Sequence, residues 1–254
     1  DQCPGVQLRL LPDLGDLAAI EAACCWQAPP GLLATLPNLR LIQSAAAGID
    51  HLTRDAALPA GVPLCRIVDP GMASGMAAYV AWAVVQHQRQ MGTYRQQAAQ
   101  AQWQTHPVQP TAQHRVGIAG LGVMGQACAT VLLALGYGVR AWRRSAGGRT
   151  DGHAPAGVQV FTGDGERDAF LAGCDTLVNL LPLTDATRGV LDAALFSRLP
   201  RGAHLVNVGR GEHLVEAALL AALASGQLAA ATLDALAQEP LPAGHPFWHH
   251  PQVT

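Results

Sequence analysis

Val116-Gly117-Ile118-Ala119-Gly120-Leu121-Gly122-Val123-Met124-Gly125 decides the fold of this 254-residue chain. An apolar run leads into Gly120, and a helical pattern of Ala, Val and Leu opens at Gly122. In such a strand–turn–helix, Gly120 makes the tight turn and Gly122 lets the backbone approach a pyrophosphate. Gly125 lets the helix pack closely on the strand. The helix N-terminus, through Leu121, Val123 and Met124, offers free N–H groups and a positive dipole end to an anion. The glycine spacing alone says little in a chain with 27 glycines; its place between strand and helix gives it weight.

Working outward, strands are expected at 115–119, 139–142, 158–161, 176–180, 204–208 and 230–234, with helices over 126–135, 193–198 and 215–225. Six strands alternating with helices make a complete doubly wound dinucleotide-binding sheet. Upstream, strands are expected at 6–10, 22–26, 39–44 and 62–68, with a short helix at 31–36. A long helix then runs from Met72 to Gln102, its apolar face formed by Met76, Tyr79, Val80, Ala83 and Val84. Residues 105–113, with Pro107 and Pro110, read as a linker. The expected class is α/β with two Rossmann-like domains. Residues 1–85 would form a smaller, flavodoxin-like substrate domain lacking its N-terminal strand. Residues 86–254 would hold the linking helix and the doubly wound parallel dinucleotide-binding sheet, lacking a C-terminal return helix.

The second strand of the sheet bears on the cofactor. An NAD site places Asp or Glu about 20 residues beyond the glycine loop, to accept from the ribose 2′-OH. Here Val139-Arg140-Ala141-Trp142 ends in Arg143-Arg144-Ser145, without a carboxylate. Guanidinium groups bind a 2′-phosphate that a carboxylate would repel, so NADP(H) is expected in preference to NAD(H).

Three further runs fall at strand ends, where open α/β sheets build their sites. They are Asn179-Leu180-Leu181-Pro182-Leu183-Thr184, Asn207-Val208-Gly209-Arg210-Gly211, and Asp234 to Pro242 with Glu239 in a proline-braced loop. Arg210, between two glycines after an apolar strand, presents a cation at the crevice. A carboxylate there suits a catalytic histidine, whose tautomer it fixes and whose imidazolium it favours.

Composition narrows the alternatives. Half the residues are apolar, 13% are charged and the formal net charge is −2, so neither nucleic acid nor an anionic membrane surface is an expected partner. No apolar run approaches the length of a membrane span, and no basic-plus-apolar leader is visible, so a cytoplasmic protein is expected. The six cysteines lack C-x-x-C spacing, which argues for reduced thiols and no metal. All 16 basic residues are Arg, which excludes a Walker-A lysine and Schiff-base chemistry.

Together these runs, with Ser44-Ala45-Ala46-Ala47-Gly48-Ile49-Asp50-His51, resemble the D-isomer-specific 2-hydroxyacid dehydrogenases, and within them the glyoxylate/hydroxypyruvate reductase A type. The resemblance covers nearly the whole chain. It implies a homodimer in which a small 2-keto acid is reduced by hydride transfer from NADPH. Arg210 would grip the keto acid and polarise its carbonyl, and Glu239 would support the proton-delivering histidine. The backbone at Ala47, Gly48 and Ile49 would hold the substrate carboxylate, and Trp26 would line the substrate side. Asp234 would contact the nicotinamide carboxamide, while Leu181, Pro182, Val208 and Gly209 would border the coenzyme.

That histidine is expected just beyond the strand opening at Gln252-Val253-Thr254. His245, His249 and His250 precede it and read as loop residues. If the chain truly ends there, coenzyme binding with little turnover is expected. Two rivals remain. A non-catalytic NADP(H)-binding regulator on the same fold stays open. A β-hydroxyacid dehydrogenase is disfavoured by the mid-chain glycine loop and the absence of lysine.

Overall fold

A computed structural model describes residues 4–145 and 154–254. It divides into two compact units, 1–69 and 70–254. The sequence had put the division at residue 85. The helix at 70–88 instead belongs to the second unit, because its apolar face packs on the dinucleotide-domain core.

The first unit carries strands β1 (Ala22–Cys25), β2 (Leu41–Ser44) and β3 (Leu64–Cys65) in a parallel sheet of that order, with helix α1 (Asp50–Thr53) after β2. Its core is Leu33, Leu36, Leu39, Ile42 and Leu52. Three expectations change here. Residues 6–10 alternate like a strand, yet only Leu10 makes a bridge, to Asp13, and Val6 and Leu8 stay exposed. A period-two pattern becomes a strand only by pairing with a neighbour, and among the described residues this stretch joins neither edge of the β1-β2-β3 sheet. The strand expected at 62–68 shortens to two residues, and 31–36 forms a 3-10 turn over Leu32–Thr35.

The second unit opens with α2 (Pro70–Gln88) and α3 (Met91–Ala99). The single long helix expected over 72–102 is broken at Gln90, which adopts φ 53°. That left-handed conformation is costly for a residue with a Cβ; Gln90 Nε2 donates to Pro107 O at 2.8 Å, which helps hold it.

There follow β4 (Arg115–Ala119), α4 (Val123–Ala134), β5 (Gly138–Arg143), β6 (Gln159–Thr162), α5 (Arg167–Leu171), β7 (Thr176–Asn179), α6 (Ala193–Phe196), β8 (Ala203–Asn207), α7 (Glu216–Ala224) and β9 (Leu228–Leu233). The six strands lie in the order β6-β5-β4-β7-β8-β9, all parallel. Residues 252–254 extend the sheet beside β9, with Leu233 N donating to Thr254 O at 2.9 Å.

Side chains alternate between two cores, as a sheet covered on both faces requires. Leu177 and Leu205 enter one core with Phe170 and Leu219; Val178 and Val206 enter the other with Val80, Val84 and Leu132. The strand order reverses between β4 and β7, which opens the crevice where such sheets bind ligands.

Candidate functional site

The crevice is built from the carboxyl ends of the strands. Ala119 pairs in register with Trp142 and Asn179, Asn179 with Asn207, and Asn207 with Leu233. Each chain segment leaving these positions therefore starts from one edge of the sheet.

The glycine loop has a different steric reason at each position. Gly120 has φ 104°, and a Cβ there would meet Leu180 O at 2.7 Å. A Cβ on Gly125 would collide with Gly120 O, so the helix can approach the strand only without one. A Cβ on Gly122 would meet nothing within 4 Å; it would project into open space. Gly122 is also the N-cap of α4 and supplies no side-chain cap, which leaves the first-turn N–H groups available. Bare backbone, open space and unpaired donors at one helix end fit a pyrophosphate.

Beside this loop lies a cavity of about 350 Å³ whose walls include Trp142, Arg144, Phe170, Leu181 and Val190. An apolar slot with a charged rim fits an adenosine moiety. The strand pleat separates the two arginines that the sequence sets side by side. Arg144 shares the cavity wall with Trp142, whereas Arg143 does not line it. The Nε of Arg143 is buried without a hydrogen-bond partner. Ser145 follows as an exposed residue.

Arg210 sits between two glycines that cannot be anything else. A Cβ on Gly209 would come within 2.9 Å of Asn179 Nδ2 and of His213 Nδ1, and one on Gly211 would overlap the Leu236 carbonyl. The glycines thus press the Arg210 loop against β7 and against the loop after β9. Arg210 Nη1 donates to Gly209 O at 3.0 Å.

The residue that the sequence reading missed is His213, which is fully buried. Its Nδ1 accepts from Arg210 N at 3.1 Å and from Asn179 Nδ2 at 2.9 Å, while its Nε2 faces Pro182 O at 3.3 Å. Two donors on Nδ1 fix the Nε2–H tautomer. Burial first, and then the Arg210 charge, holds its pKa below the usual imidazole range. Asn179 Nδ2 also donates to Asn207 Oδ1 at 2.9 Å, and Asn207 Nδ2 to Arg210 O at 3.0 Å. Leu181 N lies 3.4 Å from Asn179 Oδ1, and Val208 N donates to Asn179 O at 3.2 Å. One buried network therefore ties together the loops at 181–182 and 207–213. The sequence signal was an Arg-Gly-Glu-His run in which only the arginine looked functional.

Asp234 leaves β9 with its N–H donating to Asn207 O at 3.0 Å. Burial, then the Glu239 charge, raises its carboxyl pKa. Glu239 Oε1 accepts from Leu236 N at 2.9 Å, closing its own loop. Two carboxylates and one guanidinium thus gather at the ends of β8 and β9. His245 is a loop residue: it bonds Glu216 at 3.2 Å and packs edge-on against Phe247.

In the first unit, the run after β2 folds around the buried Ser44 hydroxyl. It accepts from Ala46 N at 3.1 Å, contacts Gly48 O at 2.9 Å, and lies 3.3 Å from His51 Nε2. Arg66 Nη1 donates to Ala47 O at 3.2 Å. Among the described residues, the N–H groups of Ala47 and Gly48 donate to no other residue. Ile49 caps α1, and Trp26 packs tilted against His51 with ring centroids 4.7 Å apart.

Another cavity of the second unit, about 890 Å³, lies elsewhere, walled by His87, His114, Arg201, His204 and Gln252. No residue of the loop from Gly120 to Gly125 lines it. Among the described residues no cluster of metal-ligating side chains occurs, and no helix is long and apolar enough to cross a membrane.

Residues 81–254 match the family model for the NAD binding domain of D-isomer specific 2-hydroxyacid dehydrogenases. The chain is 43% identical over 247 residues to glyoxylate/hydroxypyruvate reductase A of Serratia proteamaculans, covering 94% of this chain and 76% of the relative. A D-isomer specific 2-hydroxyacid dehydrogenase from Xanthobacter autotrophicus, solved with NADPH and MES, superposes with TM-score 0.87 at 40% identity, over 94% of this chain and 74% of that one. An NADPH-dependent glyoxylate/hydroxypyruvate reductase from Sinorhizobium meliloti, solved with NADP and sulfate, gives 0.85 at 38%, over 92% and 73%.

Proposed function

This chain belongs to the D-isomer specific 2-hydroxyacid dehydrogenase family, and from that premise we propose that it is an oxidoreductase that reduces glyoxylate or hydroxypyruvate with NADPH. Hydride and a proton add across the keto C=O, giving the 2-hydroxy acid and NADP⁺. The observation that carries the reading is Gly122, open to solvent at the uncapped start of α4 and beside a cavity rimmed by Arg144. The relatives solved with NADPH or NADP support the coenzyme assignment.

Bound there, the reduced nicotinamide ring supplies the hydride. Gly120 to Gly125 would hold the pyrophosphate, Arg144 and Ser145 the adenosine end with Arg143 behind them on the opposite side of the pleat, and Leu181, Pro182, Val208 and Gly209 the middle of the crevice. Asp234 would accept from the carboxamide. Arg210 is assigned to the keto oxygen, where its charge stabilises the negative charge that grows as the carbonyl is reduced. Glu239 is assigned to orient the proton-donating imidazole that the family resemblance places beyond Thr254, and to favour its charged form. The unpaired N–H groups of Ala47 and Gly48, with Ile49, are assigned to the substrate carboxylate, and Trp26 to an apolar wall. We take the working protein to be a cytoplasmic homodimer, as the family resemblance implies and as the free thiols suggest.

Calorimetric titration with NADP⁺ and NAD⁺ tests the coenzyme, and loss of NADPH absorbance on adding either keto acid tests the reaction. Tighter binding of NADP⁺ and consumption of NADPH are expected. No heat with either coenzyme would overturn the reading; binding without consumption of any 2-keto acid would favour a regulator instead.

A further inference from the structure

The guanidinium that shares the adenosine cavity with Arg144 comes from a different element. Arg167, the first residue of α5, lines the same wall. The turn before it is fixed to the end of β5. Gly163 N donates to Arg143 O at 3.0 Å, and Trp142 Nε1 donates to Gly163 O at 2.9 Å. The turn that leads to Arg167 is therefore tied to the end of β5 beside Arg144, although the two arginines are far apart in sequence.

Neither guanidinium has a hydrogen-bond or ion-pair partner among the described residues; the neighbouring Asp168 is taken by Arg198 at 2.9 Å. One carboxylate, Asp164, lines the wall with them. Two guanidiniums against one carboxylate at the wall, with Arg143 at the same strand end and Glu166 on the same turn bonded to Thr162 N, leave a surplus of positive charge at the mouth of a largely apolar slot. A phosphate monoester carries about −1.5 to −2 charges at pH 7 and offers acceptor oxygens to several donors. It balances that surplus as a neutral ribose hydroxyl does not.

We propose that Arg167 acts with Arg144 as a two-sided clamp on the adenosine 2′-phosphate, so that the turn between β6 and α5 sets coenzyme selectivity together with the end of β5. This rests on the coenzyme reading above. The clamp explains how the cavity selects a phosphate when the pleat turns Arg143 away from it. Arg reaches such an oxyanion through a planar fork, so binding depends on geometry as well as charge.

The test is calorimetric titration of wild type, Arg144→Ala and Arg167→Ala with NADP⁺, NAD⁺, 2′,5′-ADP and 5′-AMP. Loss of one charge-assisted contact should weaken NADP⁺ and 2′,5′-ADP by about 10- to 100-fold, with NAD⁺ and 5′-AMP changed by less than about twofold. Arg167→Gln, which keeps part of the aliphatic stem and removes the charge, should give the same pattern if the alanine variant folds poorly. Equal weakening of both coenzymes, or of neither, in a variant with native near-UV circular dichroism would overturn the clamp. Failure of the wild type to bind NADP⁺ would instead sink the coenzyme reading itself.

Discussion

The backbone N–H of Arg210 donates to Nδ1 of His213 at 3.1 Å, so a wholly buried imidazole holds the loop that presents the cation. Because Asn179 Nδ2 shares the same nitrogen, the loop is tied to the end of β7 as well. His213→Ala leaves both donors unpaired inside the protein, at a cost of about 1–3 kcal/mol before any cavity is counted. Its melting temperature should fall, and kcat/KM should drop more than NADP⁺ affinity does. Unchanged kinetics in a folded variant would show that Arg210 does not depend on this anchor.

Replacing Arg210 itself separates charge from fork geometry. Arg210→Ala should lower kcat/KM by about 10²- to 10³-fold, the scale of losing a donor to a developing oxyanion. Arg210→Lys should recover only part of this, since an ammonium is a point charge. Steady-state kinetics with glyoxylate and hydroxypyruvate checks both.

Gly122 and Gly125 make a paired test. Gly122→Ala adds a methyl in open space, so stability should be nearly unchanged while NADP⁺ binding weakens. Gly125→Ala forces α4 off Gly120 O and should cost about 1–3 kcal/mol or more. Thermal melts and calorimetry distinguish the two. Loss of stability in the first variant would mean that Gly122 serves the fold.

Half-buried His87 and the buried His114 and His204 form a second group, away from the crevice. His87 stacks on His204 at 4.3 Å, and His204 Nε2 lies 3.0 Å from Thr232 Oγ1. Burial, reinforced by His114, drives His87 from 6.5 down to about 4; burial, then His87 and His114, drives His204 well down. Burial also lowers His114, opposed by Asp175 and aided by Arg115. Folded pKa values below the unfolded value mean that the unfolded chain binds more protons in that window. Stability is therefore full above about pH 6.5 and is lost progressively as pH falls toward about 4, by up to about 3 kcal/mol for His87. Urea denaturation across that range should show the loss, and a His87→Gln/His204→Gln variant a flatter profile. A flat wild-type profile would contradict it.

The thiols should divide by burial. Cys128 and Cys174 are buried, which pushes both up to about 12, whereas Cys24 and Cys65 are exposed. Alkylation of the native protein followed by mass spectrometry should label Cys24 and Cys65 and spare the other two. Labelling of Cys174 without unfolding would show that the core under Gly117 opens.

Much of the second unit was legible because its signals are local. Arg115 to Ala119 is a strand for the reason its apolar run gives, and the turn at Gly120 follows from residue chemistry alone. The same local rules fail at residues 6–10, where alternation met no partner edge, and at Gln90, where a contact to Pro107 accompanies a break that helix propensity did not foresee.

The sequence by itself determined the glycine loop, the parallel α/β class, and which strand ends carry Arg144, Arg210, Asp234 and Glu239, since periodicity and turn chemistry act over a few residues. Only the tertiary structure decided that Arg144 lines one cavity with Arg167 and not with Arg143, and that His213 braces Arg210. Those pairings depend on pleat direction and on strand register across the sheet, which join residues that no sequence window contains.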